Sequence, residues 1–513
     1  MTGSYLLGVD IGSSSSTGVL VDRDGAIVHS HTIPHGMDMP RPGFFEHDAD
    51  RIWWREFVDI VGVLLDESAI DPRNIIGIGT SAIGSCVLPI DASGKPLRPA
   101  ILYGIDTRAS SEIEQLEQLL GKEEIFFRSA SNLSSQASGP KILWIRNHEP
   151  EIYNKTRWFL TSQAYLVYKL TGTASIDVYT ASGYTPLFDP YSLGWNEDFA
   201  RPIVPVERLP EVFWSCTVVG SVSPQAARAT GLAEGTAVIA GTTDAAAEAV
   251  SAGVVENGDM MIMFGSSIFF IMKSSKLLKT PDFWCSNFLE PDTYAFAGGM
   301  STAGSLTTWF RDQFARAELD RENDGGENAY ALLAREAAAS PPGANGCIAL
   351  PYFEGERTPL NDPKARGLIF GLRLGHNRGD LYRALLEGVG FGIRHNLEAM
   401  SREGVEPERL LAVGGGCRNA LWMQLVSDIL GRELAVPEQQ IGASYGDAFM
   451  AAVGAGLFPD LSAIRGWVRS YRVFRPEAQT HERYGRYYRI FLGLYESTKE
   501  LMHQLSDPPA ERP

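Results

Sequence analysis

Cysteine is scarce in this sequence and carries no pattern. The 513 residues hold five, Cys86, Cys216, Cys285, Cys347 and Cys417, with no CxxC pair among them. Neither a disulfide framework nor a cysteine zinc site is indicated, and a reducing cytoplasm is the expected compartment. The nine histidines show no ligand spacing, which argues against a tightly held transition metal. Basic charge is also short: 45 Lys and Arg face 62 Asp and Glu, for a formal net charge of -17. A nucleic acid or an anionic membrane selects the opposite balance, so neither is an expected partner. Long apolar runs are missing. The most apolar stretch, Met260 to Met272, carries Gly265-Ser266-Ser267 in its middle and falls short of the ~20 residues of a membrane span. Asp10 interrupts the first apolar run and no basic region precedes it, so no signal peptide is read.

What is present is a globular composition, 44% hydrophobic and 21% charged. At roughly 150 residues per domain the length calls for more than one core, and two large domains are the simplest division.

The pattern centres on VIAGTTDAAAEAV, Val238 to Val250, a short apolar strand running into an alanine-rich helix with Asp244 at the junction. An aspartate there can simply cap a helix that begins at Ala245. Two hairpins give it company. YLLGVD (Tyr5 to Asp10), the turn IGSSSS, TGVLVD (Thr17 to Asp22) and AIVHSH form a three-stranded meander whose first turn is rich in glycine and serine. MMIMF, Gly265-Ser266-Ser267, IFFIMK and YAFAGGM (Tyr294 to Met300) repeat that order, which is evidence for two related domains. Small residues in such turns let an anion approach the backbone N–H groups. An ordinary hairpin tolerates the same residues.

The segment GIGTSA, Gly77 to Ala82, lacks the third glycine of a dinucleotide fingerprint. In RPAILYGIDTRAS, Asp106 and Arg108 end an apolar run; they can clamp a polyol's hydroxyls or form a structural ion pair. LLAVGGGCRNALWMQLVSDIL, Leu410 to Leu430, reads as strand, three glycines and helix. Gly414, Gly415 and Gly416 either bare the backbone to a planar ligand or permit tight helix–strand packing. His481 to Leu505 reads as a long amphipathic helix, followed by a frayed DPPAERP.

Taken together and in order, VDIGSSSSTGVLVD, PGFFEHD, ILYGIDTRA, AGTTDAAAEAV, MFGSS, PYFEGERTPLNDPKARGLIFGL, RALLEGVGFG and AVGGGCRNALWMQLVSDILG resemble the FGGY family of carbohydrate kinases over nearly the whole chain. The GERTP loop, Gly355 to Pro359, is most like that of the xylulokinases. The resemblance implies an α/β fold of two actin-like, ribonuclease-H-like domains flanking a deep cleft in which ATP and a sugar meet. The expected limits are 1–235 for the sugar-side domain, 236–470 for the nucleotide-side domain, and 471–513 for a helix and tail returning to brace the first.

Carried over residue by residue, Asp244 is the expected catalytic base and also a sugar contact, and Asp10 orients Mg2+. Gly12, Ser13 and Ser14, and Gly265, Ser266 and Ser267 with Gly304, are the expected phosphate contacts. Gly414, Gly415 and Asn419 fall where relatives hold the adenosine, and Asp106 and Arg108 resemble the sugar-side loop. Three departures bear on detail. Ser81-Ala82-Ile83-Gly84 stands on the sugar side where xylulokinases tend to have Gln-Met-His-Gly, Ala245 replaces an asparagine after the base, and Thr17 replaces a frequent Arg or Lys. The implied activity is transfer of the γ-phosphate of ATP to a sugar, a ketopentose such as xylulose or another polyol or sugar acid (ribulose, gluconate, glycerol, erythritol). A homodimer is compatible with this reading. The rivals are a non-catalytic actin-like nucleotide-binding sugar sensor, which has no need of a base, and an ATP-driven chaperone, which would need a further substrate-binding domain.

Overall fold

The apolar runs Tyr5–Ile11, Ser15–Asp22 and Ile75–Ala82 become strands buried on both faces. In the computed structural model, which describes residues 3–506, β1 (Tyr5–Ile11), β2 (Ser15–Asp22) and β3 (Ile27–Pro34) form the expected antiparallel meander. β4 (Ile75–Ala82) lies parallel to β1. β5 (Val218–Ser221) and β6 (Ala237–Ile239) complete the order β5-β6-β4-β1-β2-β3, and the two-residue β7 (Thr242–Thr243) extends the pairing at the end of β4. Parallel central strands need cover on both sides. α1 (Arg55–Ser68) supplies it on one face through Phe57, Ile60, Val61 and Leu64, all buried. α2 (Asp244–Ala252) follows β7 directly.

The second half repeats the topology. β8 (Asp259–Phe264) and β9 (Ile268–Ser274) are an antiparallel hairpin, and β10 (Tyr294–Met300) is the next strand along. α3 (Gly304–Phe314) and α4 (Arg378–Arg402) come before β11 (Arg409–Val413), which lies parallel to β8 as β4 does to β1. α5 (Ala420–Leu430), β12 (Leu434–Pro437), α6 (Ala443–Gly454), β13 (Tyr471–Phe474) and α7 (Ala478–Ser506) follow. The strand order is β10-β9-β8-β11-β12-β13, with a further short strand, Trp284–Asn287, paired outside β10. The internal repeat read from the two hairpins is therefore a repeat of sheet topology. The expected frayed tail, Asp507 to Pro513, lies outside the described residues.

Two compact units result, and their limits depart from the expected boundary near residue 235. The first runs to Glu256 and takes in Lys273–Phe296 and Ile441–Arg469; the second comprises Asn257–Met272, Ala297–Gln440 and the chain from Ser470. α6 thus belongs to the first unit although it lies some 360 residues beyond β4 in the chain. Two glycines make this possible. A Cβ on Gly8 of β1 would stand 1.9 Å from the Ser444 carbonyl oxygen, and one on Gly79 of β4 would stand 2.1 Å from that of Asp447. α7 is part of the second unit, and its tyrosines pack there. The Tyr484 hydroxyl donates to Glu387 Oε1 at 2.8 Å and accepts from Arg383, both on α4. Tyr488 donates to Glu398 at 2.9 Å, and Tyr495 donates to Asp362 at 2.9 Å. The helix buries its aromatic face on the unit that ends in it.

Candidate functional site

Register brings the first unit's polar residues together. Asp10 of β1 stands opposite Ser81 of β4, and Ser81 stands opposite Thr242 of β7, so the three lie side by side at the C-terminal ends of parallel strands. That edge is where ligands gather in open α/β sheets. One residue past Thr243, Asp244 is the first residue of α2; Thr243 is the N-cap and makes no side-chain capping bond. The capping role weighed for Asp244 is therefore absent. Its Oδ1 instead accepts the N–H of Ala245 at 2.7 Å. The turn before it is pinned from below by the buried Asp177, whose Oδ2 accepts the hydroxyls of Thr242 and Ser215, each at 2.9 Å.

Burial raises the Asp244 carboxyl from the usual 3.8 to about 6, against the opposing pull of the Ala245 N–H. A base that titrates near neutrality is better matched to accepting a proton than an ordinary aspartate. Its neighbours are acids too. Glu248, one helical turn on, is pushed to about 7 by burial and by the Asp244 charge. Asp10 is raised well above its usual value by burial, then by Asp244 and Glu248, against a Ser81 hydrogen bond.

Asp447, which the sequence reading missed, is the fourth acid. It is fully buried on α6, and burial followed by the Asp10 charge raises its carboxyl strongly. The Ser81 Oγ lies 2.9 Å from Asp10 Oδ1 and 2.7 Å from Asp447 Oδ2, while Asp447 Oδ1 is buried without a partner. A hydroxyl has one proton to give. Both contacts are hydrogen bonds only when one carboxyl also carries a proton, and the more deeply buried Asp447 is where burial and repulsion place it. The available signal was a lone acid in the otherwise apolar ASYGDAFMAAV. Glu248 had one as well, since residues i and i+4 share a helix face.

Other expected contacts of this unit are redirected. Asp106 and Arg108 are a structural ion pair: the guanidinium Nη2 lies 2.8 Å from Asp106 Oδ2 and Nη1 lies 2.8 Å from Glu46, and both side chains of the pair are completely buried. Asp106 Oδ2 also accepts the Phe45 N–H at 2.7 Å, and the Arg108 guanidinium covers the Phe44 ring. With their polar atoms spent on one another, they fasten the PGFFEHD segment and present nothing to a polyol. Ala82 and Ile83 are buried in the hydrophobic core, so neither offers a side chain to a sugar, and the Ser81 hydroxyl is engaged as described. Gly12, Ser13 and Ser14 form the β1–β2 turn, closed by the Gly12 N–H donating to Ser15 O at 2.9 Å, with Ser14 exposed.

In the second unit the expected residues do gather. Gly265, Ser266 and Ser267 make the β8–β9 turn, and its carbonyls dock on the start of α3: Gly304 N–H donates to Gly265 O at 3.0 Å and Ala303 N–H to Ser266 O at 2.9 Å. A Cβ on Gly304 would meet Gly265 O at 2.5 Å, so this glycine is needed for the docking. The triple glycine divides between the two readings offered for it. Gly414, at φ +92°, packs against Phe264, where a Cβ would come within 2.8 Å of the backbone oxygen; Gly415 faces open space and is exposed. Asn419 caps α5 by accepting the Trp422 N–H. Among the described residues no group of three or more His, Cys, Asp or Glu side chains is arranged to hold a metal ion, and no helix is long and apolar enough to cross a membrane.

Known proteins share this chain's sequence and fold. Residues 5–251 match the N-terminal domain of the FGGY family of carbohydrate kinases, and residues 260–455 match its C-terminal domain. A xylulose kinase of Staphylococcus epidermidis is 30% identical over 508 residues, covering 98% of this chain and 99% of its own. A xylulose kinase of Bacillus subtilis is 28% identical over 503 residues, covering 97% and 98%. The crystal structure of xylulose kinase from Rhodospirillum rubrum superposes with a TM-score of 0.89 at 30% identity, covering 97% of this chain and all of that one. Two matched domains, a repeated sheet topology and near-complete coverage by full-length relatives have one reading: the chain belongs to the FGGY family of carbohydrate kinases and is an ATP-dependent sugar kinase.

Proposed function

We propose that the acceptor is a ketopentose, D-xylulose first, and that Asp244 is the base. The observation that carries the choice of sugar is full-length similarity to proteins named xylulose kinase. Support for the base is local: a carboxylate at the C-terminal edge of the sheet, half-buried and raised to about 6. In this reading Asp244 accepts the proton of the attacking sugar hydroxyl as that oxygen bonds to the γ-phosphorus and the bond to the β-phosphate oxygen breaks, leaving ADP. In the first unit the turn at Gly12, Ser13 and Ser14 offers N–H groups to a phosphate; in the second unit the turn at Gly265, Ser266 and Ser267 does the same, and Gly415 bares backbone to an adenosine. Most of the rate comes from such positioning and charge neutralisation.

Mg2+ suits the donor set. One oxygen of Asp10 is engaged by Ser81, while Oδ2 lies toward the Gly12 turn, 3.9 Å from where a Cβ on Gly12 would stand. Magnesium is commonly held by one or two carboxylates, waters and substrate phosphates rather than by a protein cage. Asp10 would hold it through water, and bound there it supplies neutralisation of phosphate charge. The test is ADP release with ATP and a panel of D-xylulose, ribulose, gluconate, glycerol and erythritol. A kcat/KM for D-xylulose at least about tenfold above every other acceptor is expected, since missing or misplaced hydroxyls are discriminated strongly. A higher value for another acceptor reassigns the sugar, and sugar-independent ADP release throughout overturns the kinase reading.

A further inference from the structure

The first turn has a support on its far side that the reaction as described does not use. His35, at the end of β3, has its ring wedged between two acceptors. Nε2 lies 3.1 Å from the Gly12 carbonyl oxygen, and Nδ1 lies 2.8 Å from Glu56 Oε2. The imidazole side chain is 5% exposed. Glu56 Oε2 is fixed in turn by the hydroxyl of the fully buried Ser16, at 2.6 Å. The backbone of His35 takes a second hold, its N–H donating to Ser14 O at 2.9 Å. Behind the ring stands His47, edge-on at 5.2 Å between centroids and 89° between planes, its own Nδ1 accepting from Trp53 at 3.1 Å. One residue, 23 positions from Gly12, thus holds two of the turn's carbonyls.

We propose that His35 is a positioning residue for the phosphate-binding turn: by holding the Gly12 carbonyl it aims the Ser13 N–H at the nucleotide's phosphates. The physical basis is the planar trans peptide, in which the C=O of one residue and the N–H of the next point in opposite directions. With the Gly12 oxygen drawn to the His35 ring, the Ser13 N–H points away from it. A turn of Gly and Ser has no stiffness of its own to keep that orientation, so the ring supplies it, and the Glu56–Ser16 pair keeps the ring from rotating.

This rests on the reading of the Gly12–Ser14 turn as a phosphate site, and the experiment separates the two. Full-length His35→Leu, His35→Gln and Ser13→Pro are compared with wild type for KM of ATP, KM of sugar, Kd of ATP and of adenosine by calorimetry, and melting temperature. Losing one aimed donor to a charged group is expected to weaken ATP about tenfold in His35→Leu, with adenosine affinity and sugar KM within about twofold of wild type. His35→Gln, whose amide still donates to a carbonyl, is expected to recover most of the ATP affinity without the ring. ATP affinity within twofold of wild type in His35→Leu, or equal losses of ATP and adenosine, overturns the positioning role. If Ser13→Pro leaves ATP binding untouched, the phosphate reading of the turn itself falls. If Ser13→Pro weakens ATP and neither His35 variant does, that reading stands and the positioning role falls.

Discussion

Replacing Asp447 by asparagine should make the protein more stable at neutral pH. The Asp447 carboxyl is fully buried, faces the Ser81 hydroxyl at 2.7 Å and lies in the field of Asp10 and Asp244, so its proton is retained well above the ordinary aspartate range. In the unfolded chain the same group loses its proton near 3.8. The folded protein therefore binds the extra proton, and its stability falls as pH rises from that unfolded value toward the folded one. Each pH unit in that window costs about 1 kcal/mol. An asparagine needs no proton: its Nδ2 donates to Ser81 Oγ, and the hydroxyl is left to donate to Asp10. At pH 7.5 the variant should gain roughly 1–3 kcal/mol, which at about 2–4 °C per kcal/mol for a domain of this size appears as several degrees in Tm. Differential scanning fluorimetry of both proteins from pH 4 to pH 8 is the assay. The difference should be near zero at the acid end and grow with pH. An Asp447→Asn protein less stable than wild type at pH 8, or a difference independent of pH, would refute the assignment of the proton.

Asp244→Asn should lower kcat by about 10²–10⁴, the usual worth of a general base, while ATP affinity stays within about twofold of wild type; turnover near wild type would take the base role from Asp244. In the wild type, the base form of Asp244 is lost as pH falls through about 6, so kcat/KM should decline below that value, which a pH–rate profile checks. Arg108→Ala should act on stability rather than on the sugar. It leaves Asp106 without its ion-pair partner in a buried site, while Glu46 keeps Arg98, a loss of about 3–5 kcal/mol visible as a fall in Tm, with sugar KM unchanged in the fraction that folds; a raised sugar KM at normal Tm would restore the polyol clamp. The two glycines of the triple-glycine turn should separate. Gly414→Ala should lose about 1 kcal/mol or more, because φ is +92° and Phe264 occupies the space, whereas Gly415→Ala should keep its Tm and lose affinity for the adenine nucleotide.

The placement of Asp106 and Arg108 shows what kind of information the sequence withheld. Their spacing fitted a ligand clamp and an ion pair equally well, and Phe45, Glu46 and Phe44, some 60 residues earlier, favour the ion pair by engaging both of its side chains. The glycines behave alike: Gly414 and Gly415 are neighbours in sequence, and whether each packs or lies bare depends on where Phe264 sits.

The sequence by itself determined the strands, the two hairpins and their repetition, the junction at Asp244, and the family, because alternation, turn residues and motif order are local or collinear properties. The tertiary structure alone decided that α6 carries a buried acid to the edge of the first sheet, that a serine hydroxyl is shared between two carboxyls, and that α7 packs within the second unit. Burial and proton sharing depend on distances between residues hundreds of positions apart, and pattern along a chain does not encode those distances.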